Sequence, residues 1–361
     1  RMGDFYIEQG YWNEAVMAYT ALLNRDAYSG EAPFIQARIA AAYEGAGDIP
    51  AAVQAREALV EAYSRTGDWA VHARDSSRFA EVDSIRAEAL EQAITYHLST
   101  AARFPEDQPG RTSHYRNLIS RLETYLSEYG DRRVAYDYRF YLGDAFYAVD
   151  DYMNAGDAYL QVACDNSSAQ KQETALGNAF TSYYNAYTKS VVPDSTILRD
   201  KLRETAYLYV SLYPAGQYAD QFLFATASSY YNAGDYENAG EVYSSVYNEY
   251  PRSQYMARAA RYAASSFEAR QMYSDAERWY IRAADAAALT GEDLGEDFDL
   301  LAASAAYLDA EHLAASEDAD ALLAAAARFE ESARAHPGTE VAPTALYDAG
   351  ETYGRAGDHG T

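Results

Sequence analysis

Six histidines, His72, His97, His114, His312, His336 and His359, are the most chemically versatile side chains in this 361-residue sequence. A helical zinc site needs ligands one turn apart on one face, and no two of these histidines have that spacing. His312 follows Glu311, yet neither HExxH nor HxxEH is present, so the histidines read as solvent-facing or helix-end groups. Cys164 is the single cysteine and can form neither an internal disulfide nor a thiolate cage; it reads as a partly buried structural thiol. Carboxylate pairs occur throughout, which removes their value as markers of acid–base catalysis. The densest group, Glu292-Asp293, Glu296-Asp297 and Asp299, offers oxygen ligands for calcium. It lacks the alternating spacing of a calcium loop and reads as a solvated acidic turn. No GxSxG elbow, no phosphate-binding GxxxxGK loop and no GxGxxG after a strand is present. Accordingly no catalytic residue, no cofactor or cofactor-binding residue and no metal ligand is assigned.

Charge bounds the class of partner. Fifty-five acidic residues against 29 basic ones give a net charge of −26, so nucleic acid is repelled and is not an expected partner. Lysine occurs only at Lys171, Lys189 and Lys201, and the remaining positive charge is arginine. The 36 tyrosines outnumber the 12 phenylalanines, which suits a thin structure: the ring fills an apolar gap while the hydroxyl reaches water. No apolar run approaches the ~18 residues of a membrane helix, so no transmembrane segment is expected.

The elements that position these residues are helices. Proline and glycine bound segments of roughly 12 to 20 residues, within which small and aromatic residues recur at spacings of three and four. Residues 220–251, DQFLFATASSYYNAGDYENAGEVYSSVYNEYP, align with YLGDAFYAVDDYMNAGDAYLQVA within 136–167 and ARAARYAASSFEARQMYSDAERWY at 257–280. GDFYIEQGYWNEAVMAYTALL at 3–23 and AAAYEGAGDIPAAVQAREALV at 40–60 follow the same order. The pattern is a small residue, an aromatic three later, a turn, an alanine, and another aromatic four later. In the clearest copy these are Ala227, Tyr230, Gly234-Asp235, Ala239 and Tyr243, with Pro251 closing the unit. Two antiparallel helices in close contact need this order. Small residues let the backbones approach, aromatics fill the wedge beside them, glycine ends the first helix and aspartate caps the second.

These units resemble the tetratricopeptide repeat family, hairpins of about 34 residues stacked into a superhelix. Ala15 and Ala52 are 37 residues apart, as are Ala239 and Ala276. Longer units of that kind, with the YPRSQYMARAARYAASSF junction at 250–267, resemble the repeats of bacterial outer-membrane-assembly and envelope-coordination proteins. The resemblance implies an all-α fold, a right-handed α-solenoid of antiparallel helix hairpins. It divides the chain into hairpins at 1–63, an irregular helical insert at 64–130 and further hairpins at 131–361, all in one continuous solenoid. Within the insert a long or broken helix is expected from about Trp69 to Phe104, then one from Ser113 to Tyr129. An insertion is expected around Ser190–Ser195, and an acidic loop from Gly291 to Asp299. The sequence opens mid-helix at Arg1-Met2-Gly3 and closes at Ala356-Gly357-Asp358, where a second helix is due; a longer array is expected.

In tetratricopeptide arrays the first helix of each unit lines the concave face, where extended peptides or partner helices lie. Carried onto matching positions, that face includes Phe140, Asp144 and Tyr147, then Lys171, Asn178 and Thr181. Gln221, Phe224, Ser228 and Tyr231 follow, and then Arg258, Arg261 and Glu268. Only Lys171 and Asn178 fit the lysine–asparagine arrangement that reads a terminal carboxylate. The resemblance thus implies a non-enzymatic scaffold for a peptide or partner protein, in its most specific form on the periplasmic side of a bacterial outer membrane. The alternatives are a cytoplasmic sensor array controlling an effector domain elsewhere, a purely architectural spacer, and, remotely, a metal-dependent enzyme centred on the acidic loop.

Overall fold

The computed structural model describes residues 1–73, 77–105, 108–165, 169–189 and 196–359. The expected insertion at 190–195 lies outside them. The described residues form eighteen helices and no strand, and contact density divides the chain into two compact units, Arg1–Ser182 and Tyr183–Thr361. The all-α class of stacked helix hairpins is what the structure shows.

The first unit opens with α1 (Met2–Glu8), α2 (Trp12–Arg25), α3 (Ala32–Gly45) and α4 (Ile49–Ala62). It continues through α5 (Asp68–His72), α6 (Phe79–Ala101), α7 (Pro109–Tyr129), α8 (Ala135–Ala148) and α9 (Tyr152–Cys164) into α10 (Ala169–Lys189). The second unit contains α11 (Thr196–Leu212), α12 (Ala219–Asn232), α13 (Tyr236–Glu249) and α14 (Met256–Ala269). It ends with α15 (Tyr273–Thr290), α16 (Phe298–Ala314), α17 (Ala319–Ala335) and α18 (Val341–His359).

One turn recurs. Gly234 takes φ +76°, its N–H bonds the Tyr231 carbonyl, and the next N–H, of Asp235, reaches back to the Tyr230 carbonyl. Asp235 then caps α13 by accepting from the Asn238 N–H at 3.2 Å. Gly47-Asp48 and Asp150-Asp151 repeat both halves of this device, the latter with a non-glycine residue at φ +62°. Left-handed backbone lets two orphan helix carbonyls be satisfied while the chain reverses, and the aspartate answers the orphan N–H groups of the next helix.

A second device locks each hairpin. The alanines four residues past these turns, Ala15, Ala52, Ala155, Ala239 and Ala276, are all fully buried. Four residues further, Tyr19, Tyr159, Tyr243 and Tyr280 lay their rings against the first helix, where Gly3, Gly143, Ala227 and Ala264 make room. Each hydroxyl then reaches the residue after that small one. Tyr19 donates to Asp4 at 2.7 Å, Tyr159 to Asp144 at 2.5 Å and Tyr243 to Ser228 at 3.0 Å, while the Tyr280 hydroxyl lies 3.3 Å from that of Ser265. A Cβ on Gly143 would stand 2.7 Å from the Tyr159 ring, so glycine is a packing requirement there. In the second hairpin Arg56 replaces the tyrosine and pairs with Glu44.

The segment from α5 to α7 departs from this pattern. Trp69 buries its indole and donates to the Ser29 carbonyl at 3.0 Å, pinning short α5 to the turn between α2 and α3. Arg86 of α6 is only 1% exposed, bonds the Val60 carbonyl, and holds Glu128 of α7 through both carboxylate oxygens at 2.6 and 2.9 Å. The long helices stack here through buried charge as well as small-residue contact.

Candidate partner-binding face

Gln221, Phe224, Ser228 and Tyr231 are spaced by three, four and three residues along α12, which puts them on one helical face. Arg258, Arg261 and Glu268 do the same on α14. Between the two helices stands a connected aromatic row. Phe224 stacks on Tyr255 with centroids 4.8 Å apart and meets Tyr243 edge-on at 5.4 Å. Tyr262 stacks on Tyr243 at 5.4 Å and meets Tyr231 edge-on at 5.3 Å. Phe224, Tyr231, Tyr255 and Tyr262 stay partly exposed while Tyr243 is buried beneath them. Burial raises the Tyr243 pKa, so its hydroxyl serves as a hydrogen-bond donor to Ser228.

The arginines lie over this row. The Arg258 guanidinium is 5.3 Å from the Tyr255 centroid and 5.7 Å from that of Phe224, and Arg261 is 4.9 Å from Tyr262. Cation–π contacts of this kind hold a planar guanidinium flat on a ring without using its N–H donors. Those donors face carboxylates instead. Arg258 Nε lies 3.0 Å from Glu292 as an ion pair without a hydrogen bond, whereas Arg261 grips both oxygens of Glu296 at 2.7–2.9 Å. The hydrogen bonds to Glu296 raise the Arg261 pKa further, so its guanidinium stays protonated.

The acidic segment is therefore only partly a solvated turn: Asp293, Asp297 and Asp299 are exposed, but most of its carboxylates are engaged. Glu292 and Glu296 cover the arginines, Asp297 caps α16 by accepting from the Leu300 N–H at 3.1 Å, and Asp299 pairs with His336 at 2.6 Å. The sequence offered no sign of this, because Arg258 and Arg261 lie about 35 residues from their partners. Among the described residues, no three His, Cys, Asp or Glu side chains form a metal-holding group.

In the first unit, Phe140, Asp144 and Tyr147 lie on α8, and Lys171, Asn178 and Thr181 on α10. Phe140 packs edge-on against Tyr159 at 5.3 Å, and Asp144 receives the Tyr159 hydroxyl. Burial raises the Asp144 pKa against the opposing pull of that hydrogen bond. Tyr147 is exposed and meets Tyr152 at 5.1 Å. Lys171 pairs with Asp137, while Thr181 is exposed and donates to its own helix at the Gly177 carbonyl. Asp144 and Ser228 thus belong to the tyrosine locks, as does Glu268, which accepts from the Tyr280 hydroxyl. All three basic residues of the expected face have carboxylate partners within the chain.

Two further expectations are corrected. Cys164 is exposed, at the last position of α9. His97, 4% exposed and inside α6, is neither solvent-facing nor at a helix end, whereas His336, 5% exposed, is the C-cap of α17 and so a helix-end group as expected. His97 Nδ1 lies 2.9 Å from His114 Nδ1, and its Nε2 lies 3.1 Å from Glu57, which Arg121 also holds at 3.0 Å. Packing of α4, α6 and α7 brings together groups that are distant in sequence. At the N-terminal end of α6, away from this cluster, a cleft of about 690 Å³ is lined by Arg65, Asp83, Glu128 and Arg132 among others, with Arg65 paired to Asp83.

Tyr255 and Tyr262 were absent from the sequence-based set. Their spacing was the available signal, since Tyr255, Arg258 and Tyr262 fall three and four residues apart, one face of a helix.

No family model matches the chain, and no curated protein does. Among solved structures it is similar to the C-terminal part of a TPR repeat-containing protein from Cytophaga hutchinsonii, with 13% identity over 71% of this chain and 97% of that one, TM-score 0.28. It is also similar to the TPR2AB domain in the pHSP90 complex of yeast Sti1, with 15% identity over 91% and 99%, TM-score 0.27. Yeast Tom70 matches at 12% identity over 99% and 81%, TM-score 0.24. The fold class rests on the hairpins of this chain rather than on likenesses of this size.

Proposed function

We propose that this chain is a non-enzymatic interaction scaffold that takes a peptide or partner protein on the first-helix face of its hairpins. The observation that carries the reading is the row formed by Phe224, Tyr255, Tyr262 and Tyr231, half-exposed and overlaid by two arginines. Rigid aromatic rings and arginines are the side chains that dominate binding energy where proteins meet, because they bury large areas with little loss of rotamer freedom. The same proposal sets the scaffold at a bacterial cell envelope, supported by the length of the units and the sequence of the 250–267 junction.

The test is to select peptides from a random dodecapeptide display library on the purified protein and titrate a recovered peptide. The Tyr231→Ala/Arg261→Ala variant should bind at least ~10-fold more weakly with unchanged helical circular dichroism. Equal affinity would contradict the reading.

A further inference from the structure

The segment between α15 and α16 is seated on the two arginines as a ligand would be. Gly291 at φ +71° and Gly295 at φ +66° shape a tight strap between the two helices. Glu292 and Glu296 drop onto Arg258 and Arg261, which stand one turn apart on α14. Between them Leu294 packs against a small cluster of Met256, Ala257 and Ala286. The strap is thus a short acidic–apolar–acidic peptide with each of its three anchors answered by α14 or its neighbours. The carboxylates and the guanidiniums are between 27% and 40% exposed, so water and competing anions reach them.

Exposure of that size limits what the two pairs contribute, because solvent screens them and ordering long side chains opposes them. A segment held this way is exchangeable in a manner that a buried link such as Arg86–Glu128 is not. The protein's charge of −26 repels acidic chains over most of its surface, yet here it presents two cations on an aromatic floor. Such a floor is matched to a planar carboxylate, which both arginine forks can grip while the rings hold them in place.

We propose that the α12–α14 face binds an acidic peptide with carboxylates four residues apart flanking an aliphatic side chain, and that the strap at 291–297 is its competitor within the same chain. This deepens the scaffold reading and rests on it. The two arginines are engaged by the strap in the isolated protein and are released when a partner of the same chemistry outcompetes it. Local concentration favours the strap, so a partner must match its chemistry better or contact more of the aromatic row.

The probe is a fluorescein-labelled peptide copying residues 290–299, read by anisotropy. The Glu292→Gln/Glu296→Gln variant, which keeps strap length and shape, should bind it at least ~10-fold more tightly than the unsubstituted protein. Adding Arg258→Ala and Arg261→Ala should remove the gain. No gain, or a gain that survives loss of the arginines, overturns the proposal. A second measurement needs no variant: excess peptide should speed hydrogen exchange of the strap amides in the unsubstituted chain, and unchanged exchange at the highest soluble peptide concentration counts against it. If library-selected peptides depend on Tyr231 while both strap measurements are negative, the strap proposal falls alone. If those peptides are also indifferent to Tyr231, the scaffold reading falls with it.

Discussion

Gly143 and Gly177 show how a single position records its neighbours. Alanine ordinarily favours a helix interior by ~1 kcal/mol over glycine. At Gly143 the added Cβ would meet the Tyr159 ring at 2.7 Å, and that ring is fixed by its bond to Asp144. Overpacking of this kind costs ~1–3 kcal/mol, so Gly143→Ala should destabilise despite its helix propensity. Gly177 has open space around its Cβ direction, and Gly177→Ala should stabilise by ~0.5–1 kcal/mol. Urea denaturation of the two variants checks both signs; the same sign at both positions would discredit the tyrosine-lock account. The lock was half legible beforehand. The small and aromatic residues announced their spacing, whereas the hydroxyl acceptors Asp144 and Ser228 read as groove residues. One helical face supplies both roles, and only the position of the second helix separates them.

Elements that stack through charge carry a pH dependence. His97 of α6 sits between His114 of α7 and Glu57 of α4, with Arg121 of α7 on Glu57 and Glu61 beside it, and Tyr96 against both histidine rings. Burial, then the charge of His97, lowers the His114 pKa below its ordinary value of 6.5. Burial alone would raise the Glu57 pKa, but the hydrogen bond from His97 and the charge of Arg121 outweigh it and leave it below 4.5. A depressed pKa in the folded state means that the unfolded chain binds the proton more readily. The His114 contribution is therefore complete above pH 6.5 and is lost as pH falls through its lower folded value, with Glu57 following below pH 4.5. Thermal melts should show Tm dropping as pH is lowered from 7 to 5, with a smaller drop for His114→Gln; identical pH profiles would remove His114 from the account. The histidine spacing in sequence could not show this cluster, because three helices assemble it. Hairpin turns were more accessible, and the Gly–Asp pairs located them. At Asp150 and Gln271 the same left-handed turn is made without glycine, so only the surrounding repeat marked those positions.

At the scale of the molecule, the composition anticipated a thin, tyrosine-rich stack, and the structure shows small residues and tyrosine rings shared between neighbouring helices. What the linear sequence left hidden was ionic. Arg258 with Glu292, Arg261 with Glu296, and Arg328 with Glu277 and Asp309 each join different helices or loops. Charge pairing across such separations has no periodicity, so no spacing rule finds it. The consequence for the proposed function is that the basic groups of the expected face have carboxylate partners, and the proposal rests docking first on the aromatic row. Hydrogen exchange with a library-selected peptide bound to the second unit tests that claim most directly. The account predicts slowed exchange along α12 and α14, where Phe224, Tyr231 and Tyr262 lie, and little change along α13 and α15. Protection confined to α13 and α15, or spread evenly over the unit, would contradict it.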